Sequence, residues 1–199
     1  MNVKKMLGLA IVAALALMAS ASTASAETVL EKNGASTSED LTLEATLTSS
    51  STLESTSGVF ANTCSSSTVV GTTESDGMAP NFTGPTVSGA VSLLSFSNCT
   101  HSPVVVNSRG RLSIERIGTS TNGTVRSNNA NVTVPVTVLG TVVSTTCTTS
   151  NTDLGTLNGV ASGATSITLS AILECGGVLP SARWTGTYTI TGQSIGVGS

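Results

Sequence analysis

Segments in which apolar residues alternate with threonine or serine recur along this 199-residue chain. Successive side chains of a β-strand point to opposite faces of a sheet, so a period of two predicts strands that bury one face. We find no long segment with the 3.6-residue period of a helix. The residues predicted to face the core are Leu41, Leu43, Ala45 and Leu47; Val132, Val134, Val136 and Val138; Ile167, Leu169, Ala171, Leu173 and Cys175; and Trp184, Tyr188 and Ile190.

Short strands separated by turn signals indicate an all-β fold. The turn signals include Asn122-Gly123, Asn158-Gly159 and Ser108-Arg109-Gly110. We expect one antiparallel β-sandwich over residues 41–199, with Greek-key or jelly-roll-like connections.

Two local features interrupt this regular pattern. The apolar parity changes between Val91–Leu93 and Leu94–Phe96, which predicts a β-bulge. Residues 27–40 lack apolar periodicity and are rich in serine, threonine and glutamate, so we expect them to form a mobile N-terminal arm.

Charged residues are sparse. They make up 10% of the chain, with 8 Lys and Arg against 11 Asp and Glu, whereas a soluble domain usually contains about 25%. A nucleic-acid-binding protein needs a basic cluster to replace the counterions of phosphates, so we exclude nucleic acid as a partner. A weakly charged, hydroxyl-rich surface meets little electrostatic repulsion at an interface or at a second copy, which makes self-association, a cell surface or a hydrophobic interface the expected partner.

The first 26 residues have the order of a secretory signal peptide. Lys4 and Lys5 precede an apolar run over 6–18, and Ala24 and Ala26 form a small-x-small cleavage site. A run of this length is too short to span a bilayer, which needs about 20 residues. We therefore expect cleavage after Ala26 and no transmembrane segment after removal of the signal. The expected location is extracellular, or periplasmic if a second membrane retains the protein.

Four cysteines in an exported chain predict two disulfides. The alternative of a zinc site is disfavoured, because the cysteines are widely spaced and the chain has one histidine. Of the three connectivities, a weak internal repeat favours Cys64 with Cys99 and Cys147 with Cys175. Residues 63–66 (TCSS) resemble 146–149 (TCTT), and an SGA tripeptide precedes the second cysteine of each pair. The repeat predicts two similar halves, whereas crossed bonds would contradict it.

No set of residues has the spacing of a catalytic site. Residues 192–196 match G-x-S-x-G, but the chain leaves no room after them for the helix, acid and histidine of a hydrolase. His101 is interpreted as a loop residue, and no acidic or glycine-rich segment matches a calcium or phosphate loop. We therefore predict a non-enzymatic protein with no cofactor and no metal.

Trp184 and Tyr188 are the candidate ligand-binding residues. Four residues apart on one strand, they share a face, and the chain holds few other aromatic residues. An exposed face would form a platform for a glycan or a lipid. A buried face, continued by Ile190, would be core.

Several segments resemble a group of secreted bacterial proteins, the alkane-oxidation protein activator (PraB-like) group. They are Phe96-Ser97-Asn98-Cys99, residues 153–159 (DLGTLNG) and residues 182–189 (ARWTGTYT), and the resemblance extends over residues 58–191. It implies a non-enzymatic extracellular protein that is adhesive or surface-active, in a biofilm matrix or in contact with hydrophobic substrates such as alkanes. The alternative is a secreted glycan- or lipid-binding module that uses Trp184 and Tyr188.

Overall fold

The computed structural model describes residues 28–37, 39–56, 58, 60–73, 86–177 and 179–198. The predicted signal peptide, residues 1–26, lies outside the described residues. The described chain is all-β, without helices, as predicted. Its strands are β1 Val29–Lys32, β2 Ala35–Ser36, β3 Thr42–Leu47, β4 Ser51–Ser55, β5 Ala61–Thr73, β6 Val87–Cys99, β7 Val105–Arg116, β8 Gly123–Val138, β9 Thr141–Thr148, β10 Thr152–Asn158, β11 Thr165–Gly176, β12 Ser181–Ile190 and β13 Ile195–Gly198.

Strands β3 to β12 form one antiparallel sheet that closes on itself. Strands β3 and β4 both lie between β5 and β12, so they act as one interrupted wall strand. Strands β9 and β10 occupy the place between β8 and β11 in the same way. Each wall strand pairs with its neighbours in sequence, and β12 pairs with β3 and β4. The result is an eight-stranded up-and-down barrel.

The predicted sandwich with Greek-key connections is therefore wrong. A sandwich and a barrel both bury one face of every strand, so the alternation in the sequence is the same for the two folds. They differ in which strands pair at the ends of the sheet. Here Tyr188 of β12 pairs with Leu47 of β3, and this pairing between distant parts of the chain closes the barrel.

The predicted inward faces are confirmed, because all of their members belong to the barrel core or pack against it. The predicted β-bulge is also confirmed. Val70 pairs with Leu93 and Gly71 with Val91, which leaves Ser92 as an extra residue on β6.

Both disulfides have the predicted connectivity. Cys64–Cys99 joins β5 to β6, and Cys147–Cys175 joins β9 to β11. In each case the two cysteines are direct cross-strand partners. The two bonds fit an extracellular or periplasmic protein, because such bonds persist in oxidising compartments.

A small sheet in the order β13-β1-β2 covers one end of the barrel. The backbone N–H of Val197 donates to the Thr121 carbonyl, and that of Arg116 donates to the Thr28 hydroxyl. Leu30 has no exposed surface. Residues 28–37 therefore differ from the mobile arm that we expected over 27–40, because β1 pairs with β13 and Leu30 is buried.

The opposite end is covered by the β8–β9 hairpin and the loop between β6 and β7. The buried Asn62 side chain donates from Nδ2 to the carbonyls of His101 (2.8 Å) and Pro135 (3.0 Å). Its Oδ1 accepts from the His101 backbone N–H. Val136, on the β8 strand of the hairpin, is 1% exposed. Asn62 thus fastens loop and hairpin to β5.

Candidate functional site

The barrel encloses an apolar cavity of about 180 Å³. Residues from every wall strand line it, and most of them are aliphatic or aromatic. Eight-stranded barrels either fill their interior with side chains or hold one small ligand. Representative lining residues are Val69, Val91, Leu112, Val132, Leu169 and Tyr188.

The cross-strand pairing of the barrel wall is interrupted between β6 and β7. These strands pair only where Val87–Ala90 meets Arg111–Ile114. Beyond that stretch, in the part of the chain that the structure describes, residues 91–99 of β6 pair only with β5 and residues 105–110 of β7 pair only with β8. We call this unpaired stretch, residues 91–99 and 105–110, the seam. Leu94 and Phe96 line the cavity from the β6 side of the seam.

Trp184 and Tyr188 both face the cavity. The partly buried Trp184 donates from Nε1 to Ser51 Oγ (2.6 Å), and its ring meets that of Phe96 edge to face, with centroids 6.1 Å apart. Tyr188 is 2% exposed and donates its hydroxyl to Ser67 Oγ (2.9 Å). Burial raises the pKa of Tyr188, and hydrogen bonds to Ser67 and Ser51 oppose the rise. The two candidate residues thus lie inside the barrel, where they contribute to both the core and the cavity lining.

Arg109 is a lining residue that we did not anticipate from the sequence. The turn predicted at Ser108-Arg109-Gly110 is wrong, because these residues lie within β7. Gly110 has φ +68° and Asn129, on the neighbouring β8, has φ +60°. A Cβ at Gly110 would clash with the backbone of residues 128–130, so only glycine fits.

These two left-handed residues change which side chains face inward. On β7, Leu112 on one side of Gly110 and Arg109 on the other side both line the cavity, although they are three residues apart. On β8, Ser127 and Ala130 line the cavity from either side of the same irregularity. Arg109 and Ala130 are direct cross-strand partners, and both line the cavity. The only signal for this in the sequence is Gly110 itself.

The other polar groups singled out from the sequence have structural partners. His101 Nε2 hydrogen-bonds Thr137 Oγ1 at 3.1 Å. Arg126 bridges Asp153 and Glu115, both at 2.5 Å, and hydrogen bonding to Asp153 is the main cause of a raised Arg126 pKa.

Ser194, from the G-x-S-x-G match, donates to the Gly163 carbonyl at 2.6 Å. It lies at the end of the barrel opposite His101. Within the described ranges, no group of three His, Cys, Asp or Glu residues is placed to hold a metal. No helix there is long and apolar enough to cross a membrane.

Comparison with known proteins finds no matching family model, no matching curated protein and no matching solved structure. The resemblance to the alkane-oxidation activator group therefore stays a prediction from the sequence motifs.

Proposed function

We propose that this protein is a secreted, non-enzymatic binder of small apolar molecules, which it holds inside the barrel. The observation that carries the proposal is the apolar cavity beside the seam, where the wall lacks cross-strand pairing. The proposal joins the two functions expected from the sequence, contact with hydrophobic substrates such as alkanes and lipid binding by Trp184 and Tyr188. The site differs from the expected one, because it is the interior of the barrel and not an outer aromatic platform.

The size of the cavity limits the ligand. Its volume of about 180 Å³ exceeds that of an engineered apolar cavity of about 150 Å³ that stays dry and binds benzene. At about 30 Å³ for each group the size of a water molecule, it holds about six methylene groups. Each buried methylene contributes about 0.8 kcal/mol, so about six contribute about 5 kcal/mol before the entropic cost of association is subtracted, and the Kd should be no tighter than about 0.1 mM.

The test is to titrate octan-1-ol into the purified protein, with both disulfides formed, and to follow its fluorescence. Trp184 is the only tryptophan of the chain and lines the cavity, so its emission reports occupancy directly. We expect a saturable change with a Kd of about 0.1 mM or weaker. Ala130→Leu adds volume inside the cavity and should weaken binding at least about fivefold. Ala61→Leu, the matched control, lies at an exposed position of β5 and should have no effect.

Two results would count against the proposal. One is the absence of a saturable change in the unmodified protein. The other is equal weakening by Ala130→Leu and Ala61→Leu while both variants keep the unfolding midpoint of the parent.

A second candidate function, adhesion to apolar surfaces, is favoured by the tip of the β8–β9 hairpin. Leu139 and Gly140 form its turn, with φ values of +49° and +80°. The other non-glycine residues with positive φ in the described chain are all asparagine, the residue that tolerates this conformation. Leu139 is 98% exposed and Val142 is 59% exposed. An exposed leucine in a conformation that disfavours it suggests selection for surface contact over stability.

Leu139→Asn separates these two effects. Because Asn-Gly is the preferred sequence for this type of turn, we expect the variant to be at least as stable as the parent. Its partition onto hexadecane droplets should fall by at least half. Ile172→Thr, which removes an exposed apolar side chain from the outer wall, is the matched control. Unchanged partition of Leu139→Asn would dismiss adhesion through this tip.

A further inference from the structure

An arginine lies at the edge of the cavity, beside the seam. Arg109 lines the cavity, although its own surface is largely exposed. It lies on β7 within the seam, where the strand has no partner on the β6 side. Arg109 therefore lies at the boundary between the cavity and solvent.

Several unusual backbone features determine which way the Arg109 side chain is directed. Gly110 and Asn129 are both left-handed, and β7 has a second irregularity between Val106 and Ser108. Without the left-handed pair, the alternation of β7 would place Arg109 on the outer wall, opposite in parity to Leu112 and Ile114. An arginine that serves only solubility needs none of these features.

In the described ranges, no carboxylate pairs with Arg109. The ion pairs among these residues join Arg126 to Glu115 and Asp153. Arg116, by comparison, donates to the carbonyls of Thr119 and Ser120. The guanidinium of Arg109 is thus available to bind an anionic group bidentately.

We infer that the ligand of the barrel is an amphiphile with an anionic head, a medium-chain carboxylate, whose carboxylate binds Arg109 at the seam while its alkyl chain fills the cavity. This inference rests on the proposed function and specifies its ligand class. Room for about six methylene groups, followed by a head group at the seam, matches a chain of seven or eight carbons.

The experiment compares octanoate with octan-1-ol at pH 7, where the carboxylate is ionised, with Trp184 emission as the readout. Arg109→Gln should weaken octanoate binding about five- to tenfold and leave octan-1-ol binding unchanged. Arg109→Lys should keep most of the octanoate affinity, because it keeps the charge. Arg183→Gln, the matched control, removes an exposed arginine from the outer face of β12 and should change neither affinity.

The dependence of octanoate binding on salt tests whether Arg109 acts through its charge. A purely structural role of Arg109 would not make octanoate binding depend on salt. An exposed charge pair is screened as ionic strength rises, so 0.5 M NaCl should weaken octanoate binding to the parent protein and leave octan-1-ol binding unaffected. In Arg109→Gln, salt should have little effect on either ligand.

The outcomes separate the inference from the proposed function. If Arg109→Gln leaves octanoate binding unchanged, or weakens both ligands equally, the carboxylate inference is overturned while the apolar cavity stands. If neither ligand changes the emission of the parent protein, the proposed function itself is overturned.

Discussion

The hydrogen bond between Tyr188 and Ser67 allows a sharp test of how the barrel closes. Tyr188 lies on β12 and Ser67 on β5, and the interrupted strand β3/β4 lies between them. Their hydroxyl oxygens are 2.9 Å apart, and the two residues are 2% and 3% exposed. The bond therefore crosses the wall where β3 ends at Leu47 and β4 begins at Ser51.

The expected energies follow from this burial. Tyr188→Phe leaves the Ser67 hydroxyl buried without its partner, and an unsatisfied buried polar group costs about 1–3 kcal/mol. Ser67→Ala leaves the Tyr188 hydroxyl in a similar position, with Ser51 as the remaining polar neighbour. Replacing both partners removes the unsatisfied group, so the double variant should cost no more than Tyr188→Phe alone. We therefore expect a coupling energy of about 1 kcal/mol or more between the two sites.

The assay is urea unfolding of the four proteins of this cycle, with disulfides intact and Trp184 emission as the signal. Thr42 and Thr72 provide the control cycle, because their hydroxyls also bond across strands (3.2 Å) but are exposed. Replacing either threonine by valine should change the free energy of unfolding by less than about 0.5 kcal/mol. If the Tyr188 and Ser67 effects add within about 0.3 kcal/mol, the bond does not stabilise the closure and our reasoning is refuted.

Three further predictions concern titration, cross-links and surface charge. Burial raises the pKa of Tyr188, the only tyrosine, above its ordinary value of about 10. Stability should therefore be unaffected by this group below pH 10 and fall above it by up to about 1.4 kcal/mol per pH unit. Tyrosinate absorbance should appear only with unfolding, and a titration of the folded protein near pH 10 would contradict this. Replacing either disulfide by two serines should lower the free energy of unfolding by about 3.5–4 kcal/mol, because the loops of 35 and 28 residues are similar. A difference above about 1 kcal/mol between the two variants in urea unfolding would argue against the loop-entropy explanation. Asp153→Asn should cost less than about 1 kcal/mol, since the Asp153 side chain is 63% exposed. The loss should shrink in 1 M NaCl, and a larger, salt-insensitive loss would show that the ion pair has another role.

The features that could be predicted from the sequence are those that depend on neighbouring residues. The inward face of β11 follows from the alternation of Ile167, Leu169, Ala171 and Leu173, because the pleat gives each strand a period of two regardless of the fold. The disulfide pairing followed from a repeat within the chain. Direct cross-strand pairing explains why the cysteines of each half find each other, since Cys64 faces Cys99 across adjacent strands.

The closure of the sheet depends on distant residues and left no local signal. Nothing in the residues around Tyr188 indicates that β12 pairs with β3 at the beginning of the domain. The environment of Trp184 and Tyr188 also depends on the closure of the sheet. Their shared face was evident from their spacing, but whether that face met solvent, core or a cavity depended on the closure.

The unpaired seam could be predicted from the sequence only in part. Pairing between β6 and β7 ends where Ala90 meets Arg111, and both strands are irregular immediately beyond that point, at Ser92 on β6 and at Gly110 on β7. A bulge bends its strand and increases its twist, so two irregularities at the same level direct the strands away from each other. The parity change along β6 is visible in the sequence, whereas the pattern Ser108-Arg109-Gly110 predicts a turn. A glycine between two segments with opposite parity therefore has two interpretations, a turn or a kink within a strand. Only a kink within a strand places Arg109 at the seam, beside the cavity.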